Sequence, residues 1–144
     1  MASHRFQQYV GIPFKEGGRD RSGIDCWGLL RLVGREQFGY ELPSYDSEYE
    51  ALDTRLGFKY DQLRAFSARH LPEWTPVSRP SLGNGVLMRV MGSDVHVGIV
   101  VDVRAREMLH IEKGCNAVIE AYDSLLWKGR VSGFYRYNQE TAAA

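Results

Sequence analysis

Two cysteines, Cys26 and Cys115, are all that this 144-residue chain contains, and neither belongs to a CxxC pair. A disulfide framework or dithiol redox motif is therefore not implied. Joined with His96 and His110 they make a poor zinc set, because structural zinc favours ligands paired at short spacing and these four are spread over three segments. No metal or cofactor is expected. Excess charge is also missing: 18 Lys and Arg balance 18 Asp and Glu, whereas a nucleic-acid partner calls for a basic surplus or stripe. The small cluster Lys15, Arg19 and Arg21 reads as a solvated loop. No apolar run is long enough to span a bilayer, so membrane insertion is not expected. Residues 1–9 lack the apolar core of an export leader. Internal repeats and low-complexity stretches are absent too. What remains, 44% hydrophobic and 12% aromatic residues, is enough for one good core and not two, hence a single domain over 1–144.

The most informative stretch runs Gly17-Gly18-Arg19-Asp20-Arg21-Ser22-Gly23-Ile24-Asp25-Cys26-Trp27-Gly28. It brings a thiol on a glycine-rich loop to the start of a helix. Leu29, Leu30, Leu32, Val33 and Phe38 continue as an apolar stripe near the 3.6-residue period. Asp25 reads as the N-cap, accepting from an N–H one turn on. At that position the unpaired N–H groups and the positive end of the helix dipole favour thiolate over thiol and suit an oxyanion. Cys26 is thus expected to be electrostatically primed, although a small buried cysteine beginning an ordinary helix fits the same pattern. A carboxylate aimed at the sulfur would oppose ionisation, so Asp25 is expected to cap rather than to face it.

Seventy residues on, Asp94-Val95-His96-Val97-Gly98-Ile99-Val100-Val101-Asp102 alternates like a strand, and Met108-Leu109-His110-Ile111 follows a polar turn. A hairpin with a histidine on each arm results. Thiol plus imidazole is a nucleophile–base pair, and a third polar group is needed to fix the imidazole tautomer. Cys26 and His96 are the candidates for the pair and His110 for the third group. With the hairpin centred on Ala105, the histidines share a face but stand four residues apart, roughly 13 Å along a flat ribbon at about 3.3 Å per residue. Contact between them requires coiling or a bulge.

Elsewhere, a short helix is expected over 5–10, and a third helix from Leu56, Tyr60, Leu63 and Phe66 ending before Pro72. A proline-containing connection follows over 71–80. Strands are predicted at 86–91, 95–103, 107–111, 117–122 and 131–137. His70 reads as solvated at a helix carboxyl end, where the dipole explains it. Trp74, Trp127, Tyr45 and Tyr49 read as ordinary core or groove aromatics.

The block Tyr9-Val10-Gly11-Ile12-Pro13-Phe14, the Asp25-Cys26-Trp27-Gly28 signature and His96-Val97-Gly98-Ile99 together resemble the NlpC/P60 cysteine peptidases, from about Phe6 to Tyr137. More narrowly they resemble the branch found in tail-tip or tail-assembly proteins of long-tailed bacteriophages. The resemblance implies an α+β, papain-like domain with N-terminal helices packed on a mainly antiparallel sheet or small barrel. It also implies hydrolysis of peptide bonds in bacterial cell-wall peptides, with Cys26 as nucleophile, His96 as base and His110 orienting it, and with Phe14, Asp25 and Trp27 beside the substrate. Implied partners are peptidoglycan peptides and phage tail-tip proteins; implied locations are the virion tail, the host cytoplasm before assembly, and the cell wall where the enzyme acts. Four departures stand out: Phe14 where the family usually has tyrosine, Trp27 where serine is common, Gly83-Asn84-Gly85-Val86 for the usual Gly-Asp-Val, and a longer spacing between the histidines. They leave open a catalytically idle structural subunit; an amidase or acyltransferase built on the same dyad is a separate alternative, because attack on a carbonyl is common to both chemistries.

Overall fold

The computed structural model describes residues 4–45, 65 and 67–138. Leu56, Tyr60, Leu63 and Phe66, which carry the expectation of a third helix, lie outside the described residues, as does Tyr49; 67–70, just before Pro72, are helical. A short helix, α1 (His4–Gln7), leads through turns to a two-stranded ribbon, β1 (Arg19–Asp20) and β2 (Gly23–Ile24). Then comes α2 (Cys26–Val33), continued by a π-helical turn over Gly34–Phe38, which together match the helix expected to run to Phe38. A left-handed Gly39 ends it, the conformation glycine adopts without steric cost.

The second half is an open sheet with strand order β3-β8-β4-β5-β6-β7. Its strands are β3 (Trp74–Val77), β4 (Gly85–Val90), β5 (Ser93–Asp102), β6 (Glu107–His110), β7 (Val118–Ala121) and β8 (Val131–Tyr137). Every pairing is antiparallel. The sheet alternative of the expected architecture is therefore the one realised, with no barrel closure. Strand β3 corrects the expectation of a plain connection over 71–80. Pro76 is tolerated there because β3 is an edge strand, bonded only to β8.

Alternation along β5 sorts the core into two. Val97, Ile99 and Val101 face α2 with Leu109, Ile111, Leu29, Leu30 and Val33. Val100 faces the other way, with Val86, Met88, Met108, Tyr122 and Trp127. Burying both faces fixes the register, since a slip of one residue would exchange the two sets.

Candidate active site

Asp25 is the N-cap of α2, as its sequence position suggests. Its Oδ1 accepts from the Gly28 N–H at 2.8 Å and from Arg19 Nη1 at 2.8 Å, and its Oδ2 from the Gly17 N–H at 3.0 Å. Both oxygens are occupied and the residue is buried, so the carboxylate holds the glycine-rich loop against the helix. Gly28 permits the close approach: a Cβ there would meet the Gly18 carbonyl oxygen at 2.3 Å.

Cys26 takes the first helical position. As a residue it is only partly covered, but burial of the thiol, with the Asp25 charge added, pushes its pKa up to about 12, against opposing N–H groups of Val97 and Trp27. This corrects the expectation of a primed thiolate. The helix terminus is present, and desolvation outweighs it.

The main-chain N–H of Val97 faces this sulfur because of where β6 ends. On β5 the Val100 N–H donates to the Asn84 carbonyl at 2.9 Å, so even-numbered N–H groups point toward β4 and odd-numbered ones toward β6. Pairing with β6 stops at Gly98↔His110. Val97 is thus left at an open strand edge, and there the start of α2 lodges.

His96, the next residue along, lies on the face away from α2, opposite Met88 on β4. Its Nε2 is 2.9 Å from His110 Nδ1. The contact has two causes. The turn centre and a bulge between Val100 and Asp102 each shift the register by one, so His110 opposes Gly98 rather than Val100. The imidazoles thereby become diagonal neighbours, within reach of ring side chains, and Gly98 places no side chain between them. A Cβ at Gly98 would lie 3.1 Å from that of His110.

Beyond the pair, His110 Nε2 is 2.5 Å from Glu120 Oε2, and the same oxygen accepts from Trp127 Nε1 at 3.2 Å. Fully buried Trp127 walls the group, stacked on His96 with ring centroids 5.6 Å apart and edge-on to His110 at 5.0 Å. Burial first, then the neighbouring His110, lower the pKa of His96 to about 3. Among the described residues no hydrogen bond joins Cys26 to His96. Both groups are neutral at rest.

On the α2 side, a cleft of about 640 Å³ including its mouth is lined by Cys26, Trp27, His70, Trp74, Val95 and Tyr135, among others. Trp27 donates from Nε1 to the Pro43 carbonyl at 2.9 Å and leans on Tyr45. Phe14 does not line this cleft; it pairs with Ile24 through the main chain and packs on the core. His70 was expected in solvent and instead joins the cleft wall, its ring tilted against Tyr45 with centroids 4.2 Å apart and bonded to Glu73 at 3.1 Å. Cys115 sits exposed in a turn.

Sequence reasoning missed Glu120 and the position of Trp127. The sequence carries only half of the signal for Glu120: it is the one charged residue of a predicted strand, but the β6–β7 pairing Met108↔Glu120 that brings it to the histidine face is set by the fold. Trp127 carried no periodic signal, because 122–130 is irregular chain.

Against known proteins, the model of the NlpC/P60 family matches residues 11–136. The chain is 27% identical over 126 residues to murein DD-endopeptidase MepS/murein LD-carboxypeptidase of Escherichia coli, covering 88% of this chain and 56% of that protein. It is 25% identical over 122 residues to a probable endopeptidase NlpC homolog of Haemophilus influenzae, covering 85% and 54%. The chain thus spans about half the length of these curated relatives. Among solved structures it resembles an NlpC/P60 family protein from Bacillus cereus, with TM-score 0.62, 17% identity and coverage of 91% of this chain and 37% of that one. It also resembles the NlpC/p60 domain of peptidoglycan hydrolase SagA, with TM-score 0.54, 21% identity and 90% of each chain covered.

Proposed function

The chain belongs to the NlpC/P60 family, and from that premise we propose that it is a cysteine peptidase cleaving peptide bonds of bacterial cell-wall peptides, with Cys26 as nucleophile, His96 as base and His110 orienting the base. One observation carries the reading. At the open edge of β5 a helix-terminal thiol abuts Val97, while the adjacent residue bears an imidazole already held by a second imidazole. The names of the relatives, murein endopeptidases among them, supply the substrate class.

The chemistry starts from a neutral pair. With the Cys26 thiol raised to about 12 and His96 lowered to about 3, a resting thiolate–imidazolium pair is disfavoured, so the proton moves only as sulfur attacks the peptide carbonyl. His96 takes it. The first-turn N–H of Cys26, which has no intrahelical partner, donates to the developing oxyanion. Imidazolium then protonates the departing amine, leaving a thioester on Cys26. Water, deprotonated by His96, attacks the thioester and frees the carboxylate and the thiol.

The test is digestion of purified murein with separation of the released muropeptides. Wild type releases new peptide ends; Cys26→Ala and His96→Ala each release none above background while keeping the wild-type circular dichroism spectrum. Full digestion by Cys26→Ala removes the assignment. The burial of the thiol favours a second reading, a catalytically idle structural subunit, and a folded wild type that leaves murein intact selects it. The Asp25-Cys26-Trp27-Gly28 sequence, with tryptophan where serine is common, supports placing the protein among phage or prophage tail-tip components acting at the host cell wall. Mass spectrometry of purified virions from an induced host checks that placement, and absence from tail fractions contradicts it.

A further inference from the structure

We infer that Glu120 is a positioning residue: by accepting a hydrogen bond from the His110 Nε2–H it sets the tautomers of both imidazoles and leaves the Nδ1 lone pair of His96 as the base. The inference rests on the peptidase reading for its consequence, but its geometry stands by itself. At neutral pH a carboxylate only accepts hydrogen bonds, and a neutral imidazole donates from one nitrogen and accepts at the other. The 2.5 Å contact of His110 Nε2 with Glu120 Oε2 therefore places the His110 proton on Nε2. His110 Nδ1 is then an acceptor, and the 2.9 Å contact with His96 Nε2 requires that nitrogen to carry the proton. Only Nδ1 of His96 remains to receive one. Each choice forces the next.

The surroundings maintain the order. His110 is 1% exposed, so water does not compete readily at its ring. Trp127 Nε1, a donor without acceptor capacity, points at the same Glu120 oxygen and holds that carboxylate in place. Glu120 itself is fixed by β7, paired through Met108↔Glu120 with the strand that carries His110. When His96 becomes imidazolium during attack, the negative charge of Glu120 stands at the far end of the two-ring chain and stabilises the cation through it. Glu120 touches no reacting atom.

The experiment is long-range 1H–15N correlation spectroscopy of the imidazoles at pH 7 in the full-length protein, for wild type, Glu120→Gln and Glu120→Asp. Wild type is expected to show both rings neutral and protonated at Nε2. In Glu120→Gln, whose amide donates as well as accepts, the Nε2-protonated form of His96 gives way to a mixture with the Nδ1-protonated form, and kcat on murein peptides falls about tenfold or more with KM changed less than twofold. Glu120→Asp keeps the acceptor and restores part of both signals. Overturning results are a wild-type His96 protonated at Nδ1, a doubly protonated His110, or unchanged tautomers in a folded Glu120→Gln. Because the tautomers are read without substrate, their agreement with expectation in a protein that cleaves no murein defeats the peptidase reading and leaves this one standing.

Discussion

At the residue scale the two candidate reacting groups are shifted in opposite directions by the same cause. Burial penalises whichever form is charged, so the Cys26 thiol rises to about 12 and the His96 imidazole falls to about 3. For Cys26 the consequence is kinetic. Its alkylation by iodoacetamide should accelerate by about tenfold per pH unit from about pH 7 to 10 without levelling, since thiolate is the reactive form; a plateau below about pH 8 would show a primed thiolate instead. For His96 the consequence is thermodynamic. The unfolded imidazole binds a proton near pH 6.5 and the folded one only near 3, so the stabilisation is complete above about pH 6.5 and is lost as pH falls toward 3, at up to about 1.4 kcal/mol per unit. Urea titrations from pH 7 down to 4 should show a shallower loss of stability for His96→Gln than for wild type. Parallel curves would contradict the shift.

At the scale of elements, the start of α2 and the β5–β6 hairpin do the positioning. The loop–helix contact is tight enough to test by adding one carbon. Gly28→Ala drives a Cβ toward the Gly18 carbonyl oxygen and should cost about 1–3 kcal/mol, read as a lower urea midpoint at unchanged m-value; an unmoved midpoint would show the loop to be loosely held. Much of this level was legible from residue order. Asp25 before an apolar helical stripe announced the cap, and alternation around His96 and His110 put both rings on one face. Their contact was not legible, because a bulge at Val101 and a turn shifted by one residue are decided by packing on two faces at once. Strand β3 hid behind Pro76, which forbids a central strand and permits an edge. Glu120 went unread because its role depends on a third strand's register. The primed thiolate was misjudged for another reason: helix position can be read in a sequence, and the depth at which a thiol is buried cannot.

At the scale of the whole molecule, the proposed function depends on β5 being reached from both sides of one open sheet. Helix α2 brings the thiol and the apolar cleft to one side, while the 122–130 segment brings Trp127 to the other, against both imidazoles. The shortness of β6, ending at His110, opens the edge where the two sides meet. That arrangement serves acyl transfer to water only if a carbonyl carbon passes through Cys26. The most direct test is cleavage of purified murein peptides in water enriched in oxygen-18, followed by mass spectrometry of the products. Wild type should yield new carboxyl termini carrying one heavy oxygen, and Cys26→Ala should yield none. Heavy-oxygen termini from Cys26→Ala at the wild-type rate, or no new termini from the folded wild-type protein, would contradict the account.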